Sequence, residues 1–189
     1  MVQKMKIKSA AVYCGACIPE NPVYSEAAVK LGKFLAANNI TLVFGGSSAG
    51  TMKTIADTVL ENNGKVIGVF PSELPREMLH ENLTEVYFSS NLAERKAKMF
   101  EFADALLALP GSIGTWDELF DALSVCKISR GKISKPVIAM NIDHFYEPLK
   151  ALMQNSIDAG FTSKEAAQLL TFIDNVDDLS NFFKLKIEF

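Results

Sequence analysis

Residues 109–118, LPGSIGTWDE, constrain the fold more than any other stretch of the chain. An apolar run at 105–109 precedes the turn and reads as a buried strand. Residues 119–128 follow with the spacing of an amphipathic helix. Gly111 and Gly114 therefore fall in a strand-to-helix turn. Glycines there let backbone N–H groups approach an anion, and the helix N-terminus favours negative charge. Two carboxylates, Asp117 and Glu118, stand three residues into the helix. An anion cradle beside an acid suits chemistry on a phosphorylated substrate.

The same arrangement recurs upstream. Residues 41–44 are a short apolar strand ending at Gly45-Gly46, and Ser47, Ser48, Ala49 and Gly50 make a second small-residue turn. Met52, Ile55, Ala56, Val59 and Leu60 then follow at i, i+3, i+4, i+7 and i+8, one face of a helix. Asn62-Asn63-Gly64 reads as its stop, a left-handed C-cap. Further strands are predicted at 7–14, 66–70, 85–88, 136–140 and 170–173. Further helices are predicted at 24–37, from an Asn91 cap to about 102, at 146–159 and at 177–186. Residues 71–83 read as a mobile loop with a short helical piece, and 127–135 as a basic connection.

This alternation predicts a doubly wound, Rossmann-like α/β fold. It would have a parallel sheet of six or seven strands and helices on both faces, as a single domain over residues 1–189. Hydrophobic residues at 49% supply the core. In such sheets, ligands bind beyond the carboxyl ends of the strands, where strand order reverses. Both glycine turns can then serve one cleft.

Charge and motif content exclude several classes. A net charge of −3 gives no basic footprint for nucleic acid. No apolar run reaches the roughly 20 residues of a membrane span. The N-terminus has basic residues but no long apolar region or cleavage site, so a cytoplasmic location is expected. Cys14 and Cys17 form a C-x-x-C that reads either as a redox pair or as two small residues in a turn. Zinc would need more ligands than these and the scattered His80 and His144 provide. Neither G-x-G-x-x-G nor a Walker A loop is present.

PGSIGTWDE resembles the P-G-G-x-G-T-x-x-E motif of the LOG ("lonely guy") family. That family comprises phosphoribohydrolases of nucleoside 5′-monophosphates, including cytokinin ribosides, often labelled lysine decarboxylases. Other stretches agree. Tyr13-Cys14-Gly15 is similar to the family's first turn, and residues 45–52, GGSSAGTM, to its G-G-G-x-x-G-L-M. Residues 66–71, VIGVFP, resemble V-x-G-V-I-P; residues 95–99, RKAKM, match R-K-x-x-M; and Gly160-Phe161 matches a late G-F. The resemblance spans about residues 9–165.

The resemblance implies a catalytic pair, Arg95 and Glu118. It implies that Gly111, Ser112, Gly114 and Thr115 hold the 5′-phosphate and that Gly45, Gly46 and Gly50 shape the other wall. Lys96 and Met99 would line the base or ribose side. It further implies a homodimer or larger even oligomer, and chemistry that needs no metal and no organic cofactor. Departures fall at Ser112 and Ser47, where the family has glycine, at Thr51 and Lys53, and at Val125 and Lys127. With the catalytic positions intact, they point to altered substrate preference.

Structural readings compete at several of these residues. Thr115-Trp116-Asp117-Glu118 is also a capping box, in which Thr115 caps the helix and Glu118 reaches back. Asp117 can simply complement the helix dipole, with Asp121 behind it. Arg95 and Lys96 lie near a helix start, where cations are disfavoured unless an anionic partner is close. Met99 fits a core as well as a ligand contact, and Trp116 fits packing or a dimer contact better than base stacking. Two rival functions remain: a non-catalytic nucleotide-binding module of the same fold, and a pyridoxal-phosphate decarboxylase. The latter needs a Schiff-base lysine and a pyridinium partner that nothing in the chain marks.

Overall fold

The computed structural model describes residues 7–133 and 135–186. The basic N-terminal residues 1–6 and Ser134 of the 127–135 connection lie outside the described residues. In chain order the elements are β1 (Ser9–Tyr13), α1 (Pro22–Ala37), β2 (Thr41–Phe44), α2 (Gly50–Glu61), β3 (Val66–Pro71), β4 (Glu85–Ser89) and α3 (Leu92–Phe102). Then come β5 (Ala105–Ala108), α4 (Ile113–Ile128), β6 (Val137–Met140), α5 (Glu147–Asp158), α6 (Lys164–Ala167), β7 (Leu170–Ile173) and α7 (Val176–Lys186). The seven strands form one sheet in the order β4-β3-β2-β1-β5-β6-β7, and every pairing is parallel. The predicted doubly wound sheet is therefore what the chain forms.

The strands are apolar on both sides because both faces are covered. Ala10 and Val12 of β1 join a core filled by Leu31 and Leu35 of α1, Ile55 and Val59 of α2, and Leu179 and Phe183 of α7. Ala11 and Tyr13, the alternate residues, join a second core with Met99 of α3, and Leu119, Ala122 and Cys126 of α4. The chain winds outward from β1 to β4, then returns to place β5 on the other side of β1. The switch point thus lies at the carboxyl ends of β1 and β5, beside the turns after β2 and β5.

Local signals set most element ends. The Asn91 side chain accepts from the Glu94 N–H at 2.8 Å, and the Glu94 carboxylate accepts from the Ser90 N–H at 2.7 Å, so α3 starts where its cap predicts. The stop of α2 is left-handed as predicted, and Asn63, at φ 59°, is the residue that takes that conformation. Gly64 is needed for space, since a Cβ there would lie 2.5 Å from Val59 Cγ1.

Residues 71–83 contain a short 3-10 turn at Arg76–Met78 and are tied to the β2–α2 turn. The Ser48 N–H donates to the Met78 carbonyl at 2.8 Å, and the His80 N–H to the Gly46 carbonyl at 2.9 Å. His80 is buried and pairs through Nε2 with Asp57 of α2 at 2.9 Å. Among the described residues no helix is long and apolar enough to cross a membrane.

Candidate active site

The start of α4 departs from the sequence reading. The amphipathic run lies at 119–128 and Thr115 offers itself as the cap, yet the helix begins at Ile113 with Ser112 as N-cap. The first intrahelical bond runs from the Trp116 N–H to the Ser112 carbonyl at 3.0 Å. The N–H groups of Ile113, Gly114 and Thr115 therefore stand outside the helical ladder, at the positive end of a four-turn helix. The Ser112 side chain makes no capping bond and is exposed.

This start corrects the capping-box reading of Thr115 and Glu118. Thr115 lies inside the first turn, with its hydroxyl buried and unpartnered. Its Oγ1 occupies the space above Gly111, where a Cβ would come within 2.2 Å. Gly111 is thus required by close approach, and a Cβ on Gly114 would meet nothing within 4 Å.

Glu118 sits in the second turn of α4, only 6% exposed. Its partner is Arg95 of α3, whose Nη1 donates to Glu118 Oε1 at 2.7 Å. Arg95 Nε donates to the Val69 carbonyl of β3 at 3.1 Å. The other arm of the guanidinium fills the space above Gly45. A Cβ on that glycine would lie 1.9 Å from Arg95 Nη2. Three chain segments, the ends of β2 and β3 and the second turn of α4, therefore hold one guanidinium. Burial pushes the Glu118 carboxyl from 4.5 up to about 7, against the opposing pull of Arg95. The Tyr13 phenol, beneath it on β1, is pushed well above its usual range by burial and then by the Glu118 charge.

The remaining sequence-predicted residues divide by environment. Gly46 has φ 80° and faces Phe70, while Gly50, at φ 55°, lies against the backbone of Ala16 and Cys17. Both glycines are fixed by backbone conformation and close packing at the carboxyl edge of the sheet. The Lys96 ammonium is 2.9 Å from Asp117 Oδ1 and 3.4 Å from Asp121 Oδ1. Met99 has 0% exposure and belongs to the core beneath α3, so it offers no surface to a ligand in this conformation. Trp116 is 43% exposed on the outer side of α4, close in sequence to exposed Ile113 and Phe120.

Sequence reasoning missed the Val69 carbonyl, the seat that Gly45 gives Arg95, and the two aspartates on Lys96. A main-chain acceptor leaves no signature in sequence. The cation pair on a helix start did announce that anions would be near, and they are. Two more buried hydroxyls without partners, Ser47 and Ser89, also lie at the carboxyl edge of the sheet. Cys14 is buried, and its thiol is pushed up to about 12 by that burial, whereas Cys17 is exposed. The Cys14 environment is the reverse of the low-pKa thiol that a C-x-x-C redox motif requires.

Fold and site together define an open, doubly wound α/β protein. Its candidate centre is a buried arginine–carboxylate pair beside a helix N-terminus at the switch point. The chain belongs to the LOG family, whose model carries the description "Possible lysine decarboxylase" and matches residues 52–182. It is 37% identical over 169 residues to the cytokinin riboside 5′-monophosphate phosphoribohydrolase LOG of Oryza sativa subsp. japonica, covering 89% of this chain and 69% of the rice protein. It is 36% identical over 177 residues to the cytokinin riboside 5′-monophosphate phosphoribohydrolase LOG7 of Arabidopsis thaliana, covering 93% and 81% of the two chains. Among solved structures, the molybdenum cofactor binding protein of Rippkaea orientalis superposes with a TM-score of 0.70 over 96% of this chain and 98% of that one. At 20% identity that likeness concerns the fold alone.

Proposed function

We propose that the protein is a phosphoribohydrolase. It cleaves the N-glycosidic bond of a nucleoside 5′-monophosphate, AMP or a cytokinin riboside monophosphate, to free base and ribose 5-phosphate. The observation that carries this reading is the buried Arg95–Glu118 pair one turn beyond the open N–H groups of Ile113, Gly114 and Thr115. The names of the rice and Arabidopsis relatives support the substrate class.

The chemistry follows from charge. The 5′-phosphate takes the loop from Gly111 to Thr115, where open N–H groups and the helix dipole meet it. Breaking the C1′–N bond leaves positive charge on the ribose and sends the bond electrons to the base. The Glu118 carboxylate opposes that positive charge and takes a proton from the water that attacks C1′; that proton ends on the departing base, which leaves as free base and restores the carboxylate. A carboxylate titrating near 7 is a stronger base than an ordinary one, and about half of it is ionised at neutral pH. Arg95 orients the carboxylate through its own three-point seat. Phosphate binding, remote from the bond that breaks, supplies the positioning.

The assembly belongs to the same proposal. Ile113, Trp116 and Phe120 leave α4 with an exposed apolar surface. Beside it, a groove of about 400 Å³ runs between α4 and α5, lined by Leu123, Leu149 and Met153 among others. A second copy covering this surface makes a homodimer. The free thiols fit a reducing compartment, and we assign the protein to the cytoplasm.

The test is a panel of nucleoside monophosphates scored for free base and ribose 5-phosphate. AMP or an N6-substituted AMP should release base, and the matching nucleosides should not. No base from any monophosphate, with AMP still bound, would leave a nucleotide-binding module in place of an enzyme.

A further inference from the structure

The Arg95–Glu118 pair has a companion. Arg95 and Lys96 are consecutive on α3, and Asp117 and Glu118 are consecutive on α4, so two ion pairs cross the same helix contact side by side. The outer pair is in fact a triad. The Lys96 ammonium bridges Asp117 at 2.9 Å and Asp121 at 3.4 Å, with the lysine side chain 18% exposed. Asp117 and Asp121 are four residues apart on one helix, where two like charges repel unless a cation sits between them.

Lys96 meets that need, and it has little freedom to do anything else. An ammonium has three donors, and two of them point at carboxylates. Hydrogen bonding to Asp117 raises its pKa, which keeps it charged. A phosphate reaching for Lys96 would have to displace one aspartate and approach the other. The open N–H groups of α4 carry no such obstacle.

We infer that Lys96, Asp117 and Asp121 form a positioning cluster for the proposed hydrolysis, in which Lys96 clamps α3 to α4 and holds Arg95 against Glu118 instead of binding phosphate or base. This rests on the phosphoribohydrolase reading. Among the described residues, the charged and titratable groups that act on Glu118 are Arg95 and Lys96 from α3, Asp117 from α4, Tyr13 at the end of β1 and Cys14 just after it, while Asp121 and Cys126 of α4 face Tyr13. Within that set Lys96 favours the ionised form of Glu118 and Asp117 opposes it. The two members of the clamp therefore pull the carboxylate in opposite directions.

Base release from AMP by the unaltered protein tests the hydrolase reading by itself. The cluster is judged on readouts that need no turnover: the AMP dissociation constant by calorimetry, and the Glu118 titration followed by carboxyl 13C NMR, assigned with Glu118→Gln. Lys96→Met should leave AMP affinity within about threefold, the mark of a residue outside the phosphate contacts. It should also move the Glu118 midpoint to higher pH, whereas Asp117→Asn should move it to lower pH. Where turnover is measured, Lys96→Met should lower kcat by roughly ten- to a hundredfold, and Lys96→Arg should restore most of it. Two results would overturn the inference. One is a loss of AMP affinity above about tenfold in Lys96→Met with adenosine affinity unchanged, which marks a phosphate ligand. The other is both variants moving Glu118 the same way.

Discussion

Replacing Glu118 by glutamine removes one negative charge from a buried site and keeps its shape and the oxygen that faces Arg95. The folded protein holds the Glu118 proton more tightly than the unfolded chain does, because burial raises its pKa from 4.5 to about 7. Between those values the native state binds more protons than the unfolded state. The stability available with Glu118 protonated is therefore fully present below pH 4.5 and is lost as pH rises through about 7. At about 1.4 kcal/mol per pH unit, the penalty reaches about 3 kcal/mol above neutrality, most of it arriving between pH 5 and pH 8. Glutamine has no such linkage. Glu118→Gln should gain on the unaltered protein by about 2–3 kcal/mol between pH 5 and pH 8, while turnover falls by orders of magnitude. Urea unfolding at the two pH values, at one fixed protein concentration, measures this. Trp116, the single tryptophan, reports from α4 itself. Taking the difference between the two proteins cancels every other titrating group. An unchanged difference at pH 5 and pH 8 would refute the placement of the Glu118 midpoint near neutrality. Normal turnover by the variant would refute the catalytic role.

Arg95→Met leaves the Glu118 charge buried without its partner, so it should destabilise by about 3–5 kcal/mol at pH 8 and much less at pH 5, where Glu118 takes its proton; the same urea series measures it. Gly45→Ala puts a methyl where Arg95 Nη2 lies, so the guanidinium must leave its seat. Activity should fall about a hundredfold or more while circular dichroism shows a folded chain. Phe120→Glu charges the exposed apolar face of α4, and light scattering should then report the monomer mass where the unaltered protein reports twice that mass. A monomer in both cases, across a wide dilution series, would reject the homodimer.

The sheet was legible because its signals are local. Short apolar runs ended by Gly45-Gly46 and by Pro110-Gly111 read as buried strands feeding helices, and β2 and β5 fall where those runs predict. The Asn91 cap was legible for the same reason, since cap and helix are neighbours in sequence. The seat of Arg95 was not legible. It is assembled from Gly45, Val69 and Glu118, which have no sequence relation to one another, and one of the three contributes only a carbonyl.

The misread start of α4 shows how a functional site hides from pattern analysis. Its buried positions are Thr115, Glu118, Leu119, Ala122 and Cys126. These run i, i+3, i+4, i+7 and i+11, a regular inward face from the first turn onward. Two of the five are polar, and both lie in the first two turns. A search for apolar residues at helical spacing therefore finds the run only from Leu119 and reads Thr115 and Glu118 as a capping box before it. A buried carboxylate opposed by one arginine, and a buried hydroxyl with no partner, both cost stability. A chain selected only for folding would place leucine or alanine there. The residues that break the apolar pattern of α4 are thus the residues assigned to phosphate and C1′.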